Sequence, residues 1–317
     1  MRTRATVATV TGALALSALV LPSAAQADGA HGPVGSAAAV ARAAQSAAGQ
    51  SAAKTAAKTG ARSAAPAAAS TPGEMDLTFS KLTVNGGKPI VVGTTYTKRV
   101  ATTFTVTHAA DVNIFASDFL LDVNLYRGSY EAPTNELYGD DFPVCKKVST
   151  KVATCKGNIS VTPDFDLIGN ADATKWKATG FAVAYLGQDP EDPDFTKMGF
   201  ALQDKLGYAT VQRASKQTVK TSAKSVKKGK TLTFTGKLSR ANFDDLKYHG
   251  YTVQPVKLQF RKKGGSTYTT VKTVKTNSKG ELKTTAKVSA NGYWRYSFAG
   301  TSTTPAATAT GSYVSVK

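Results

Sequence analysis

Cys145 and Cys155 are the only thiols in a chain of 317 residues. Nine mostly polar residues separate them, enough for a hairpin or a loop. In an oxidising compartment such a pair is expected to close as a structural disulfide. No Cys-x-x-Cys is present, so redox catalysis has no motif. Two thiols also cannot supply the four ligands of an iron–sulfur cluster or a Cys-rich zinc site. His31, His108 and His249 are the only histidines, and no two stand at ligand spacing. His-Glu-x-x-His and Gly-x-Ser-x-Gly are both missing, which leaves zinc hydrolysis and serine nucleophile chemistry without a signature. His108, after a strand candidate, is expected at the surface.

Carboxylates offer the other raw material. Asp189, Glu191, Asp192 and Asp194 fall within six residues, stiffened by Pro190 and Pro193. Such a loop has the hard oxygens calcium prefers, although it lacks the alternating spacing, central Gly and closing Glu of an EF-hand. A solvated acidic loop is the plainer reading. Asp140, Asp164, Asp166 and Asp189 are the candidates for a two-carboxylate hydrolase, which needs a pair about 5–10 Å apart. The spacing along the chain does not fix that distance.

Cations dominate the far end. The chain has 40 Lys+Arg against 21 Asp+Glu, a formal charge of +19. Residues 73–215 carry 14 basic and 17 acidic side chains, whereas residues 216–317 carry 20 basic and 3 acidic. That contrast places a domain boundary near residue 216. Lys227, Lys228 and Lys230 form one basic run, and Arg261, Lys262, Lys263, Lys272 and Lys275 another. Lysines outnumber arginines 17 to 3 in this part. Base readout relies on Arg forks, so sequence-specific nucleic-acid binding is not expected. Weak, salt-sensitive attraction to anionic envelope polymers or polysaccharides is the functional expectation. Outward lysines on strands also guard a sheet against aggregation, and the charge density alone does not choose between the two.

The elements that must position these groups read as β. In the basic part Leu232, Phe234 and Leu238 alternate with polar residues. Val256, Leu258 and Phe260 do the same, as do Leu282, Ala286 and Val288, and Trp294, Tyr296 and Phe298. A period of two means one packed and one wet face. This places Trp294 in a core rather than on a sugar-stacking surface. Seven or so short strands in a hundred residues suggest a sandwich. In residues 73–215 the strand candidates are 77–84, 100–107, 119–126, 155–161, 175–186 and 207–212. The stretches 127–143 and 187–195 read as connections. Both faces of the strand around Trp176 and Phe181 carry apolar residues and are expected to be covered.

Before these parts come two segments of different character. Arg2 and Arg4, an apolar run over residues 13–21, Pro22 and Ala25-Gln26-Ala27 have the plan of a secretory signal cleaved after Ala27. The run is shorter than the roughly 20 residues that span a bilayer. Residues 28–72 are nearly all Ala, Ser, Thr, Gly and Lys, with Val34 and Val40 as the only large aliphatics. This composition predicts a mobile linker, since it offers little apolar area against ordering entropy; Ala-rich stretches such as 36–48 are expected to visit helix only transiently, with no apolar stripe to dock one.

The basic part resembles a known family. Gln254-Pro255-Val256-Lys257-Leu258-Gln259-Phe260-Arg261, then Tyr268-Thr269-Thr270-Val271, Asn277-Ser278-Lys279-Gly280 and Gly292-Tyr293-Trp294-Arg295-Tyr296-Ser297-Phe298 are similar to the bacterial Ig-like domain of exported actinobacterial proteins. The high Ala content suits a high-GC actinobacterium such as a streptomycete. The resemblance covers residues 217–317 and implies an immunoglobulin-like sandwich. It implies no single function, because such domains serve as spacers, adhesive modules and enzyme appendages. Residues 73–215 resemble no family.

The expectation is therefore an all-β chain of two tandem antiparallel sandwiches, 73–215 and 216–317, the second immunoglobulin-like. They would follow a signal peptide (1–27) and a disordered linker (28–72). Secretion and a non-enzymatic interaction role at the cell surface or outside the cell go with it. A carboxylate hydrolase in residues 73–215 and a calcium-stabilised structural protein are the alternatives.

Overall fold

The computed structural model describes residues 32–58 and 73–317, so the expected signal peptide lies outside the described residues. One helix, α1 (Gly32–Lys58), precedes twenty-one strands. Ten strands build the first sandwich: β1 (Gly73–Glu74), β2 (Leu77–Val84), β3 (Ile90–Val92), β4 (Lys98–His108), β5 (Phe119–Gly128), β6 (Pro133–Leu137), β7 (Val144–Ser149), β8 (Val152–Val161), β9 (Lys175–Ala184) and β10 (Gly199–Arg213). One sheet runs β1-β10-β9-β5-β6 with β3 also on β10, and the other runs β2-β4-β8-β7. Pairing is antiparallel except for β1 and β3, which lie parallel to β10.

Alternation explains the packing. Phe104 and Val106 on β4 face Leu121 and Val123 on β5, with Phe79, Cys155 and Ala182 filling the space between. At the other end Ile90, Val100, Leu125, Ile159, Trp176 and Val211 form a second cluster. Trp176 is fully buried and its Nε1–H donates to the Asp172 carbonyl at 2.8 Å. His108 is buried rather than exposed, because its Nδ1–H donates to the Ala109 carbonyl at 2.8 Å and folds the ring against the strand end.

The second sandwich has eleven strands. They are β11 (Ser215–Gln217), β12 (Lys220–Thr221), β13 (Ser225–Val226), β14 (Thr231–Asn242), β15 (Lys247–Gly250), β16 (Pro255–Lys262), β17 (Thr269–Lys275), β18 (Glu281–Lys287), β19 (Gly292–Phe298), β20 (Ala307–Thr308) and β21 (Ser312–Val316). β14 pairs with β11, β12, β15 and β18; the facing sheet runs β13-β21-β19-β16-β17 with β20 on β19. Leu232, Phe234, Leu238, Val256, Leu258, Leu282, Val288, Trp294, Tyr296 and Phe298 fill the space between them. Trp294 sits between Phe234 and Phe260, with ring centroids 4.5 and 4.8 Å away. The described residues are thus all-β apart from α1 and short 3-10 turns, and the second half is a two-sheet sandwich of about the length of an immunoglobulin-like module, its eleven strands including several of only two residues.

Two features depart from the sequence reading. Residues 32–58 form α1 instead of part of a mobile linker. Val34, Ala37, Ala38, Ala41 and Ala44 recur at i, i+3, i+4, i+7 and i+10 and are buried. Their small side chains let the helix lie close on the outer face of the first sheet, where Phe181, Val183, Tyr185 and Met198 supply the apolar area. The second departure is at the junction of the two halves. Ala241 and Phe243, at the end of β14, belong to the first sandwich's core. Arg213 N–H donates to the Thr303 carbonyl at 3.0 Å, and its Nε–H to the Ala241 carbonyl at 2.6 Å. Asn170 bonds Asn242 and Asp244.

Candidate functional site

The two cysteines form a disulfide, with Cα atoms 4.0 Å apart. They are directly opposed across β7 and β8. Cys155 is buried in the first core, whereas β7 is an edge strand whose residues are largely exposed. The bridge therefore ties an edge strand with little apolar anchorage of its own to the sheet.

The acidic candidates turn to local work. Asp194 accepts from Thr196 N–H at 3.1 Å and Thr196 Oγ1–H at 2.6 Å, and pairs with Lys197 Nζ at 3.0 Å. These bonds hold its pKa down at about 2. Asp189 accepts from Glu191 N–H, and Glu191 and Asp192 are exposed. Asp140 accepts from Ser160 N–H and pairs with Arg99 at 2.7 Å, while Asp166 accepts from Thr162 N–H. Both therefore serve the end of β8. Asp164 is exposed on the loop after β8, and Asp189 belongs to the separate β9–β10 connection. Among the described residues no group of three or more His, Cys, Asp or Glu converges as a metal site.

A buried polar set that the sequence does not signal lies on the outer face of the first sheet beside α1. Arg42 Nη2 pairs with Glu136 Oε1 at 2.6 Å, and Asn124 Nδ2 donates to the same oxygen at 3.1 Å. Asp122 is 1% exposed, and its Oδ2 has no hydrogen-bond partner among the described residues. Burial pushes its pKa up to about 8; a backbone hydrogen bond from Val123 opposes this and the nearby Asp140 adds to it. Gly139 closes over Oδ2, which a β-carbon there would strike. Asp122 is thus an enclosed acid under Gly139, not a side chain presented to a cleft.

The basic runs, far apart in sequence, meet at one end of the β13–β17 sheet. Lys263 N–H donates to the Asn291 carbonyl, and Asn291 Oδ1 accepts from Val316 N–H at 2.6 Å. Val226 stands opposite Val316, and Lys228 N–H donates to the Lys317 carbonyl. Lys227, Lys228, Lys262 and Lys263 thus gather around the turn at Asn291, all exposed. Lys230 lies just beyond them, and Lys272 and Lys275 are exposed on the edge strand β17. No ion pair among the described residues joins any of these cations to a carboxylate.

Next to that end lies an ordered aromatic and cationic surface. Arg261, Tyr293 and Tyr313 are in register across β16, β19 and β21. The neighbouring row holds Gln259 opposite Arg295. Arg295 lies over the Tyr268 ring at 3.6 Å and Arg261 over the Tyr293 ring at 4.5 Å. Arg261 also reaches Tyr268, at 5.2 Å. Tyr293 and Tyr313 have ring centroids 5.2 Å apart. Arg295 Nε–H donates to Gln259 Oε1 at 2.9 Å, and Arg261 Nη1–H to the Gly265 carbonyl at 2.6 Å. Of this set the sequence singles out only Arg261 as a binding residue; the alternation of Tyr293 and Arg295 about buried Trp294 is the signal for the rest.

No family model matches the chain, and no curated protein matches it. Solved structures overlap it weakly. Yersinia pseudotuberculosis adhesin InvE is 10% identical, with 75% of this chain and 58% of that one covered and a TM-score of 0.22. The chain thus spans little more than half of that adhesin. The D00-D0 domain of Intimin is 14% identical, with 75% and 99% covered and a TM-score of 0.25. A DUF4785 family protein from Legionella pneumophila is 12% identical, with 68% and 51% covered and a TM-score of 0.28. At such scores the likeness carries no argument about activity or partners.

Proposed function

We propose that this chain is an exported, non-enzymatic interaction protein of the cell surface or extracellular space, whose second sandwich binds anionic polymers. The observation that carries this reading is the gathering of Lys227, Lys228, Lys262 and Lys263 at one end of a sheet, without ion-pair partners among the described residues. A domain with 20 basic and 3 acidic side chains keeps a free cationic field there. The signal-like residues 1–27 support export, and residues 73–215 and 216–317 serve as the two modules of the reading. The first module would act as a rigid carrier of the second.

Retention of the full chain on an immobilised polyanion, followed from 50 to 500 mM salt, tests this. Counterion release predicts affinity falling at least about tenfold over that range. Absence of retention at 50 mM, or affinity insensitive to salt, overturns it.

A further inference from the structure

We propose that the surface formed by Arg261, Arg295, Tyr268, Tyr293 and Tyr313 is a recognition platform for a carboxylated polysaccharide. This rests on the reading that the second sandwich binds anionic polymers, and gives that attraction a specific seat.

The argument begins with what holds the two arginines. An exposed Arg normally samples many rotamers, and fixing it costs entropy. Here each guanidinium is fixed twice, by a ring beneath it and by a hydrogen bond in its own plane. For Arg295 these are Tyr268 and Gln259 Oε1, and for Arg261 they are Tyr293 and the Gly265 carbonyl. Neither meets a carboxylate among the described residues. A stacked guanidinium keeps its remaining N–H groups at its edge, in the fork that matches a carboxylate. Two such forks therefore stand ready on one sheet face.

The tyrosines narrow the ligand. Stacking of a nucleobase needs an open ring face. Arg295 and Arg261 both lie over Tyr268, and Arg261 lies over Tyr293. Tyr313 stands beside Tyr293 and extends the surface with half-buried aromatic area. Aromatic rims with hydroxyl tips suit the mixed C–H and O–H surface of a sugar. The platform lies on a sheet face and adjoins the lysine end through Arg261-Lys262-Lys263, a layout for an extended chain crossing several strands. The carboxylates of successive sugars would meet the arginine forks first and the lysines beyond.

The test measures binding of the full chain to an oligogalacturonate, to a polyphosphate of equal charge and to a single-stranded oligonucleotide. Arg295→Lys keeps the charge but removes the fork. Tyr313→Ser removes ring area. Each is expected to lower oligogalacturonate affinity by about five- to tenfold, while Tyr313→Ser changes polyphosphate affinity less than about twofold, because a polyphosphate offers no sugar face to the ring. Replacing Lys227, Lys228, Lys262 and Lys263 by Gln is expected to lower both. If Arg295→Lys and Tyr313→Ser leave oligogalacturonate binding unchanged, the platform is overturned while the electrostatic reading stands. If the native chain binds none of the three, both fall. If the oligonucleotide binds most tightly and is the probe lost on Arg295→Lys, the polysaccharide assignment is overturned. Melting curves identify a variant that misfolds, and the charge-preserving Arg295→Lys then decides.

Discussion

Arg42 Nη2 stands 2.6 Å from Glu136 Oε1, and the pair joins α1 to β6 across 94 residues of sequence. The Glu136 side chain is 12% exposed, so its charge depends on Arg42 and on Asn124 Nδ2–H. Removing one partner of a partly buried pair leaves the other under-compensated. Arg42→Ala is expected to weaken the docking of α1 by about 1–2 kcal/mol, the worth of a charge-assisted hydrogen bond. Amide exchange over residues 34–48 would then quicken by about tenfold, with the β14–β18 amides unaffected. Unchanged exchange in α1 would show that the apolar contacts alone seat the helix.

Asp122 makes a prediction about pH. Its folded-state pKa, about 8, stands above the ordinary carboxyl value because burial opposes the charge. An acid whose pKa rises on folding binds more protons in the folded state than in the unfolded one. Its contribution therefore falls as pH rises from about 4 to about 8 and is constant beyond. Asp122→Asn removes that slope. The variant is expected to exceed the native chain in stability by about 1–3 kcal/mol at pH 8, since each tenfold change in proton affinity is worth about 1.4 kcal/mol before the interior relaxes. Near pH 4 that excess is expected to disappear. Urea denaturation of both proteins at pH 4, 6 and 8 reads the difference, and a gap independent of pH refutes it.

Gly180 tests how tightly the first sandwich closes. A β-carbon there would lie 2.7 Å from Phe79 Cγ, under the ring that crosses from the facing sheet. Gly180→Ala is expected to cost about 1–3 kcal/mol by overpacking, and Gly180→Val more. The double change Gly180→Ala with Phe79→Leu should cost less than the sum of the singles, because the smaller side chain relieves the contact. Strict additivity in that cycle would place the strain elsewhere.

The disulfide predicts a loss confined to one edge. Chain entropy for a loop of this size is worth about 2–3 kcal/mol. Cys145→Ser with Cys155→Ser is expected to lower stability by that amount and to raise exchange in β7 before β4 or β5. Equal melting temperatures for oxidised and reduced protein would count against it.

Much of the second sandwich is legible in the sequence because its strands have one wet face. Leu232, Phe234, Trp294, Tyr296 and Phe298 alternate with Thr, Tyr, Arg and Ser, and the structure buries the first set. The first sandwich is less so. β6 and β7 lack a contrast between faces, and much of their sequence reads as connection. The register of α1 is hidden for another reason. Its buried stripe is Ala set among Ala, so position on the helix changes burial without changing residue type. The covering of Phe181 and Val183 is expected from their strand, but its source lies about 140 residues earlier, beyond the reach of any local pattern. The Arg261–Tyr293–Tyr313 row likewise depends on register between strands, which alternation within each strand does not specify.

The junction at Arg213, Ala241 and Phe243 has a mechanical meaning. Phe243 is carried by the second sandwich yet packed in the core of the first, and Arg213 grips the backbone from the opposite direction. A swivel between the halves would have to pull that ring out of apolar surroundings and break those bonds together. A pull applied at the lysine end of the second sandwich would therefore be transmitted as torque through a stiff lever, with the shear load falling on this joint.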